Sequence, residues 1–258
     1  MTESQKNEIT DLITESLNDA ESVWNEVGHH FSITEGRAVV LAKAAANTRI
    51  PGHPIIEDGA PKVDDFICLI ADMRDSTKHM LHHISQKTTS VNTLQRVYYE
   101  TSALLPALAM AIDWDRGSVT EYLGDGILAL FNASANRADA VYSSHRAAKN
   151  CMQALEEVIN PILQKRYQLP ELEIGIGIAF SKAVVTLVGL EDNKLPKVFG
   201  ECVFRASKLA NKRNEIVIDV AMKNIWPTAK DGKISFKEVS GRSSEIGYLI
   251  QNPTKRVI

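Results

Sequence analysis

The chain has 258 residues and a formal net charge of −3, enough for one large domain or a domain with a small appendage. No basic block is present, which argues against a nucleic-acid binder that works by neutralising phosphates. Three cysteines, Cys68, Cys151 and Cys202, lack Cys-x-x-Cys spacing, so neither a disulfide framework nor a zinc site is expected. The polar N-terminus does not read as a signal peptide, and no apolar run approaches the roughly 18–20 residues that span a bilayer. A cytoplasmic protein without a membrane partner is the expectation.

In chain order, residues 1–52 read as an N-terminal helical segment and lead-in, and residues 53–258 as the main domain. Ile9, Leu12, Ile13, Leu17, Ala20, Trp24 and Val27 recur at helical spacing. A second helix is predicted from about Glu35 to Asn47. The Pro- and Gly-dense stretch 49–61 is a loop. A strand over 63–72 leads into helical sequence reaching Ile112, which Pro106 is expected to kink or break. A hairpin follows over 117–131, then a long amphipathic helix with Val141, Ala148, Met152, Leu155, Ile159 and Ile162 on one face. Strands are predicted over 172–180 and 183–189, a helix over 200–213 and a strand over 215–219. A short helix to Trp226 and two strands near 233–239 and 246–251 close the chain. From Val63 the order strand, helix, strand, strand, helix, strand is the ferredoxin-like α+β pattern. The run Phe66–Ala71 is apolar on both faces. Its second face therefore needs a cover, either the N-terminal helices or another subunit.

Two carboxylates stand out. Asp72 ends the first strand, and Asp125 sits in a Gly124-Asp-Gly126 hairpin turn. If that strand pairs beside the hairpin, the two meet at one end of the sheet. Carboxylates that close repel unless cations lie between them, and Mg²⁺ or Mn²⁺ suits such a site. Glu173-Ile-Gly-Ile-Gly-Ile-Ala179 has one apolar face and one without side chains. That marks either a close approach by a ligand or backbone, or a bulge. Arg205 and Lys208 lie three apart near one face of a helix that opens at Gly200. His79, His82 and His83 have helical spacing a metal could use, with no further ligand placed nearby, and a solvated helix face is the simpler reading.

Four blocks in order, Phe66–Thr77, Glu121–Phe131, Leu172–Gly189 and Val198–Leu209, resemble the class III nucleotidyl cyclases, the adenylate and guanylate cyclase catalytic domains. The resemblance runs from about Asp64 to Ile250. It implies a homodimer with sites at the interface, two Mg²⁺ or Mn²⁺ ions per site and a nucleoside triphosphate substrate. Asp72 and Asp125 match the metal carboxylates, and Met73 the position whose backbone carbonyl also reaches a metal. Asp75, Ser76 and Thr77 begin the helix whose amides receive the triphosphate. Arg242, six residues before Tyr248, matches the basic residue that grips the terminal phosphates from the partner. Lys208 stands in place of the transition-state Arg, keeping charge but losing the fork. Phe204 stands in place of an Asn and cannot hydrogen-bond, so Arg205 is a candidate for support.

The base-reading positions of the resemblance carry Glu121 and Lys197. An acceptor beside a donor suits guanine, uracil or cytosine and disfavours adenine. Asp72-Met-Arg-Asp-Ser-Thr-Lys78 and Ala206-Ser-Lys-Leu209 further resemble the stand-alone pyrimidine cyclases of bacterial anti-phage signalling. That implies UTP as substrate, cUMP as product and a separate cyclic-nucleotide effector. CTP and GTP remain alternatives, as does a catalytically dead cyclase fold that binds nucleotide or scaffolds a partner.

Overall fold

The computed structural model of the chain describes residues 1–27, 45–81, 91–190, 193–228, 234–242 and 245–251. The chain begins with α1 (Glu3–Val27), followed by a two-stranded antiparallel ladder of β1 (Ala45–Asn47) and β2 (Ile55–Glu57). Then come β3 (Lys62–Met73), α2 (Ser76–Leu81), α3 (Thr93–Asp113), β4 (Ser118–Tyr122) and β5 (Gly126–Asn132). Helix α4 (Arg137–Ala154) continues through a π-helical turn, Leu155–Ile159, into α5 (Asn160–Tyr167). The rest is β6 (Ile174–Leu190), β7 (Asn193–Gly200), α6 (Glu201–Leu209), β8 (Ile216–Asp219), α7 (Val220–Asn224), β9 (Ser235–Ser240) and β10 (Ile246–Gln251). The main sheet has the order β4-β5-β3-β6-β8-β10-β9, with β7 paired to the far stretch of β6. The first four strands of that order, with the helices between them, give the ferredoxin-like arrangement expected from the sequence.

Alternation along β3 explains its double apolarity. Ile67, Leu69, Ala71 and Met73 join the large core beneath α3 and α4, while Phe66, Cys68 and Ile70 join a second core on the opposite face. That second face is covered by Cys202, Ala206 and Ala210 at and just beyond α6 and by Ile50 and Ile56 of the lead-in. The N-terminal helix is not its cover. Ile9, Ile13, Leu17 and Ala20 of α1 recur at helical spacing and bury into the first core, against α3.

Several expectations need correction. Pro106 lies inside an unbroken α3, because one whole face of the helix, including Ala103, Leu104, Ala107, Leu108, Ala111 and Ile112, is buried and holds it across the missing amide. The predicted break at Ser181-Lys182 is instead continuous strand. These residues pair with Phe66 and Asp65 of β3, while the other edge of β6 passes from β8 to β7 there. Strand β7 went unread because it contains Pro196, which an edge strand tolerates. Helix α6 stops at Leu209, short of the predicted Arg213. The second helix expected from about Glu35 falls mostly outside the described residues, and its last three positions are β1.

The alternating Ile-Gly of β6 has a packing cause. Ile174, Ile176 and Ile178 fill the first core, while Gly177 lets the backbone of α6, and Gly175 that of Ala210 and Lys212 just beyond it, lie directly on the sheet. A Cβ at Gly177 would strike the Ala206 carbonyl and come within 2.8 Å of the Ala210 amide nitrogen. Gly177→Ala should therefore destabilise the fold by about 1–3 kcal/mol, the range for overpacking. Denaturant unfolding checks this, and a midpoint equal to wild type would reject the close-approach account.

Candidate active site

The two aspartates lie where β3 and β5 end together. Asp72 pairs with Gly126 across the ladder, and the Met73 amide donates to the Asp125 carbonyl at 3.3 Å. Asp72 and Asp125 are thus one register step apart at the same end of the sheet. Gly124 takes the turn with φ +82°, a conformation that favours glycine, and the Leu123 amide closes the hairpin onto the Gly126 carbonyl at 2.8 Å. Gly126 leaves space beside Asp72: a Cβ there would sit 2.6 Å from the Ala71 carbonyl oxygen and 3.3 Å from Asp72 Oδ1. Both carboxylates are half-buried, whereas the Met73 side chain is fully in the core. Among the described residues, no cluster of three or more His, Cys, Asp or Glu side chains forms a metal cage. Two carboxylates and a strand-end carbonyl fit a hard cation that takes its remaining ligands from water and phosphate, as Mg²⁺ does.

The sequence reading missed Arg74, the cation placed at the centre of this group. Its side chain is 9 % exposed, and its guanidinium pairs with the Asp72 carboxylate. Nε also lies 3.4 Å from the Asp72 carbonyl. Burial, then the positive charge of Arg242, press its pKa below the usual guanidinium value, against the pull of Asp125. An arginine between two aspartates at a strand end was the available signal. Arg213, also missed, bridges Asp75 at 2.5 Å and the Glu173 carboxylate.

Asp75 has φ +58°, a left-handed conformation that Asp enters more readily than most residues. Its carbonyl receives the Lys78 and His79 amides at 2.8 and 3.1 Å, starting α2 with Ser76 and Thr77 in the first turn. His79 is not arranged as a metal ligand: its Nδ1 lies 2.9 Å from Glu100, whose other oxygen takes Arg96 Nε at 2.7 Å. Glu100 is fully buried, so this trio fastens α2 to α3. His82 and His83 lie outside the described residues.

Glu121 and Lys197, 76 residues apart in sequence, form an ion pair at 2.6 Å. A register shift in β4 between Val119 and Glu121 sets Glu121 opposite Leu128, on the α6 face of the sheet. Burial, then Cys202 and Glu121, push the Cys68 thiol up. On α6, Lys208 Nζ lies 5.1 Å from the centroid of the exposed Phe204 ring. Arg205 points elsewhere. It meets Glu201 at 3.0 Å, Asp219 at 3.6 Å and Glu245 at 3.8 Å, so the structure does not bring it to Asp72 and Asp125. Asp219 is buried with one oxygen lacking a hydrogen bond among the described residues, and desolvation raises its pKa to about 6. Arg205 is thus held as the counter-charge of a buried acid. Arg242 stands exposed in the β9–β10 turn, where a Cβ on neighbouring Gly241 would lie 3.0 Å from the Lys208 carbonyl.

No family model and no curated protein sequence matches the chain. Solved structures do. The guanylyl cyclase Cya2 is similar with a TM-score of 0.60 at 19% identity, over 76% of this chain and 96% of that one. The adenylyl cyclase CyaB from P. aeruginosa gives 0.59 at 15% identity, over 76% and 98%. A class III adenylyl cyclase-like ATP-binding protein from Pseudomonas aeruginosa gives 0.58 at 16% identity, over 80% of this chain and 43% of that one. The chain therefore has the fold of class III cyclase catalytic domains. No helix among the described residues is long and apolar enough to cross a membrane.

Arg213, and then Lys78, hold the Asp75 carboxyl well below the usual range, at about 2. A depressed carboxyl pKa contributes stability that is full above the ordinary value of roughly 3.9 and is lost as pH falls through the folded-state value. Arg213→Ala should raise the Asp75 titration midpoint toward the ordinary value, read by carboxyl ¹³C NMR. An unchanged midpoint would remove Arg213 as the cause.

Proposed function

We propose that this chain is a nucleotidyl cyclase that converts UTP to 3′,5′-cyclic UMP and pyrophosphate. The observation that carries the reading is the placement of Asp72 and Asp125 one register step apart at the end of β3 and β5, surrounded by arginine. The similarity of fold to solved adenylyl and guanylyl cyclases supports it.

In this mechanism the ribose 3′ oxygen bonds to the α-phosphorus as the bond from that phosphorus to the pyrophosphate oxygen breaks. Asp72, Asp125 and the Met73 carbonyl would hold two Mg²⁺ or Mn²⁺ ions, which supply a lowered pKa for the 3′ hydroxyl and charge neutralisation for the leaving pyrophosphate. The residues of the chain do the positioning. The first amides of α2, at Ser76 and Thr77, would donate to the triphosphate. Arg242 adds charge toward the terminal phosphates. Lys208, rather than Arg205, offers the cation for charge developing at the α-phosphate, since Arg205 is committed to Asp219. Alignment and electrostatic stabilisation supply most of the rate in phosphoryl transfer.

The Glu121–Lys197 pair presents an acceptor beside a donor, the complement of an N–H next to a carbonyl. Uracil offers N3–H and O4 in that order. Guanine offers the same edge with N1–H and O6, so GTP is the second reading, and the solved structures of similar fold include guanylyl cyclases. The pyrimidine-cyclase resemblance of the Asp72 and Lys208 blocks places UTP first. The same resemblance gives the product its role, a second messenger for a separate effector in anti-phage defence. A second copy of the chain is the partner. Tyr122, Val188, Leu195, Phe199 and Phe204 are exposed, and apolar surface of that kind fits an interface.

Purified protein with each of the four nucleoside triphosphates and Mn²⁺ should give cyclic UMP by mass spectrometry. Asp72→Ala or Asp125→Ala should remove the product while circular dichroism stays unchanged. Near-wild-type turnover by either folded variant would refute the assignment, and nucleotide binding with no cyclic product from wild type would favour the scaffold reading. A second test addresses the base. Loss of one buried polar contact costs roughly 1–3 kcal/mol, so Glu121→Ala should lower activity on UTP about tenfold or more and blunt the ranking among bases. A substrate ranking identical to wild type would exclude Glu121 from base recognition.

A further inference from the structure

We infer that Arg74 is a phosphate-binding residue supplied by the same chain as Asp72, and that its guanidinium rests on Asp72 until a divalent cation takes that carboxylate. The inference rests on the cyclase reading of the site and assigns a residue that reading leaves unused. The guanidinium is nine-tenths buried and paired with Asp72, and a buried guanidinium needs an anion. The Arg74 amide is fixed by the Glu173 carbonyl at 2.7 Å, so the residue is anchored at its backbone. A metal ion at Asp72 would neutralise that carboxylate and repel the guanidinium in contact with it. Nearby Asp75 cannot absorb the released charge, because Arg213 and Lys78 already hold its carboxylate.

A phosphate suits a guanidinium released from Asp72, since the fork matches two phosphate oxygens. The anion that arrives with a divalent cation is the triphosphate itself. Arg74 would thus pass from one anion to another as the ion and the phosphate bind together.

The test uses the full chain with two probes: Mn²⁺ alone, followed through the electron paramagnetic resonance signal of the free ion, and inorganic triphosphate with Mn²⁺, followed by calorimetry. Arg74→Gln should bind Mn²⁺ alone about tenfold more tightly than wild type, and inorganic triphosphate with Mn²⁺ about tenfold more weakly, the scale of one charge-assisted contact. Arg74→Lys should retain part of the triphosphate affinity. Unchanged affinity for either probe in folded Arg74→Gln overturns the assignment, and Arg74→Met serves the same comparison if Gln fails to fold. Asp72→Asn separates the two levels. If it abolishes Mn²⁺ binding while Arg74→Gln matches wild type, only the role of Arg74 falls. If wild type, Arg74→Gln and Asp72→Asn all fail to bind Mn²⁺, the metal site falls and Arg74 with it.

Discussion

Negative charge gathered at one end of β3 governs how this molecule is built. Asp72 and Asp75 flank Met73 and Arg74, and Asp125 lies one register step away across the ladder. Like charges that close raise one another's energy unless cations intervene. The chain supplies Arg74 to Asp72 and Arg213 to Asp75. Met73, between them, is buried in the main core, so the backbone that carries both carboxylates is fixed from beneath. The carboxylates cannot drift apart to relieve repulsion, and the arrangement depends on counter-charge.

The opposite ends of the same strands are also tied by charge, with a different outcome. Asp64 meets His53 at 3.2 Å and Asn132 at 2.8 Å, and Asp65 meets Lys182 and Arg137, each at 2.9 Å. Lys182 first, with help from Arg137, lowers the Asp65 pKa. These contacts join the lead-in, β3, β6 and the start of α4 into one frame. Two aspartates occur in sequence at each end of β3, yet only the Asp72 end combines a tight Gly-Asp-Gly turn, a helix start and surplus arginine.

Much of this was legible in the sequence. The strand-end Asp72 and the Gly-flanked Asp125 were readable because a continuous apolar run marks a strand and a hairpin turn marks where two strands end. The face of β6 without side chains was readable as a place of close approach, although only the structure shows that the visitor is α6. Cover for the second face was expected, but its identity depends on tertiary packing that no local pattern encodes. Arg74 was missed because a charged residue after a strand reads as solvated, and its burial follows from the elements around it. Arg205 has a partner that helical spacing could not show: buried Asp219 on β8, remote in the pattern, pairs with it.

Two ion pairs are closed within this chain where the proposed substrate would enter, and they differ in stiffness. Lys197 and Glu121 have side chains 35 and 28 % exposed, so water screens them and their mutual attraction is worth roughly 1 kcal/mol or less. A base edge can replace that pair at little cost, and discrimination then depends on how well the edge satisfies both groups. Arg74 is nine-tenths buried, although Asp72 is 32 % exposed, and leaving a buried guanidinium without an anion is more costly. On the proposed reading, a lone nucleotide or a lone metal ion can satisfy only one member of that pair. The two arriving together satisfy both, the ion taking the carboxylate and the phosphate taking the guanidinium. The soft pair is therefore suited to choosing the base, and the stiff pair to requiring metal and triphosphate together.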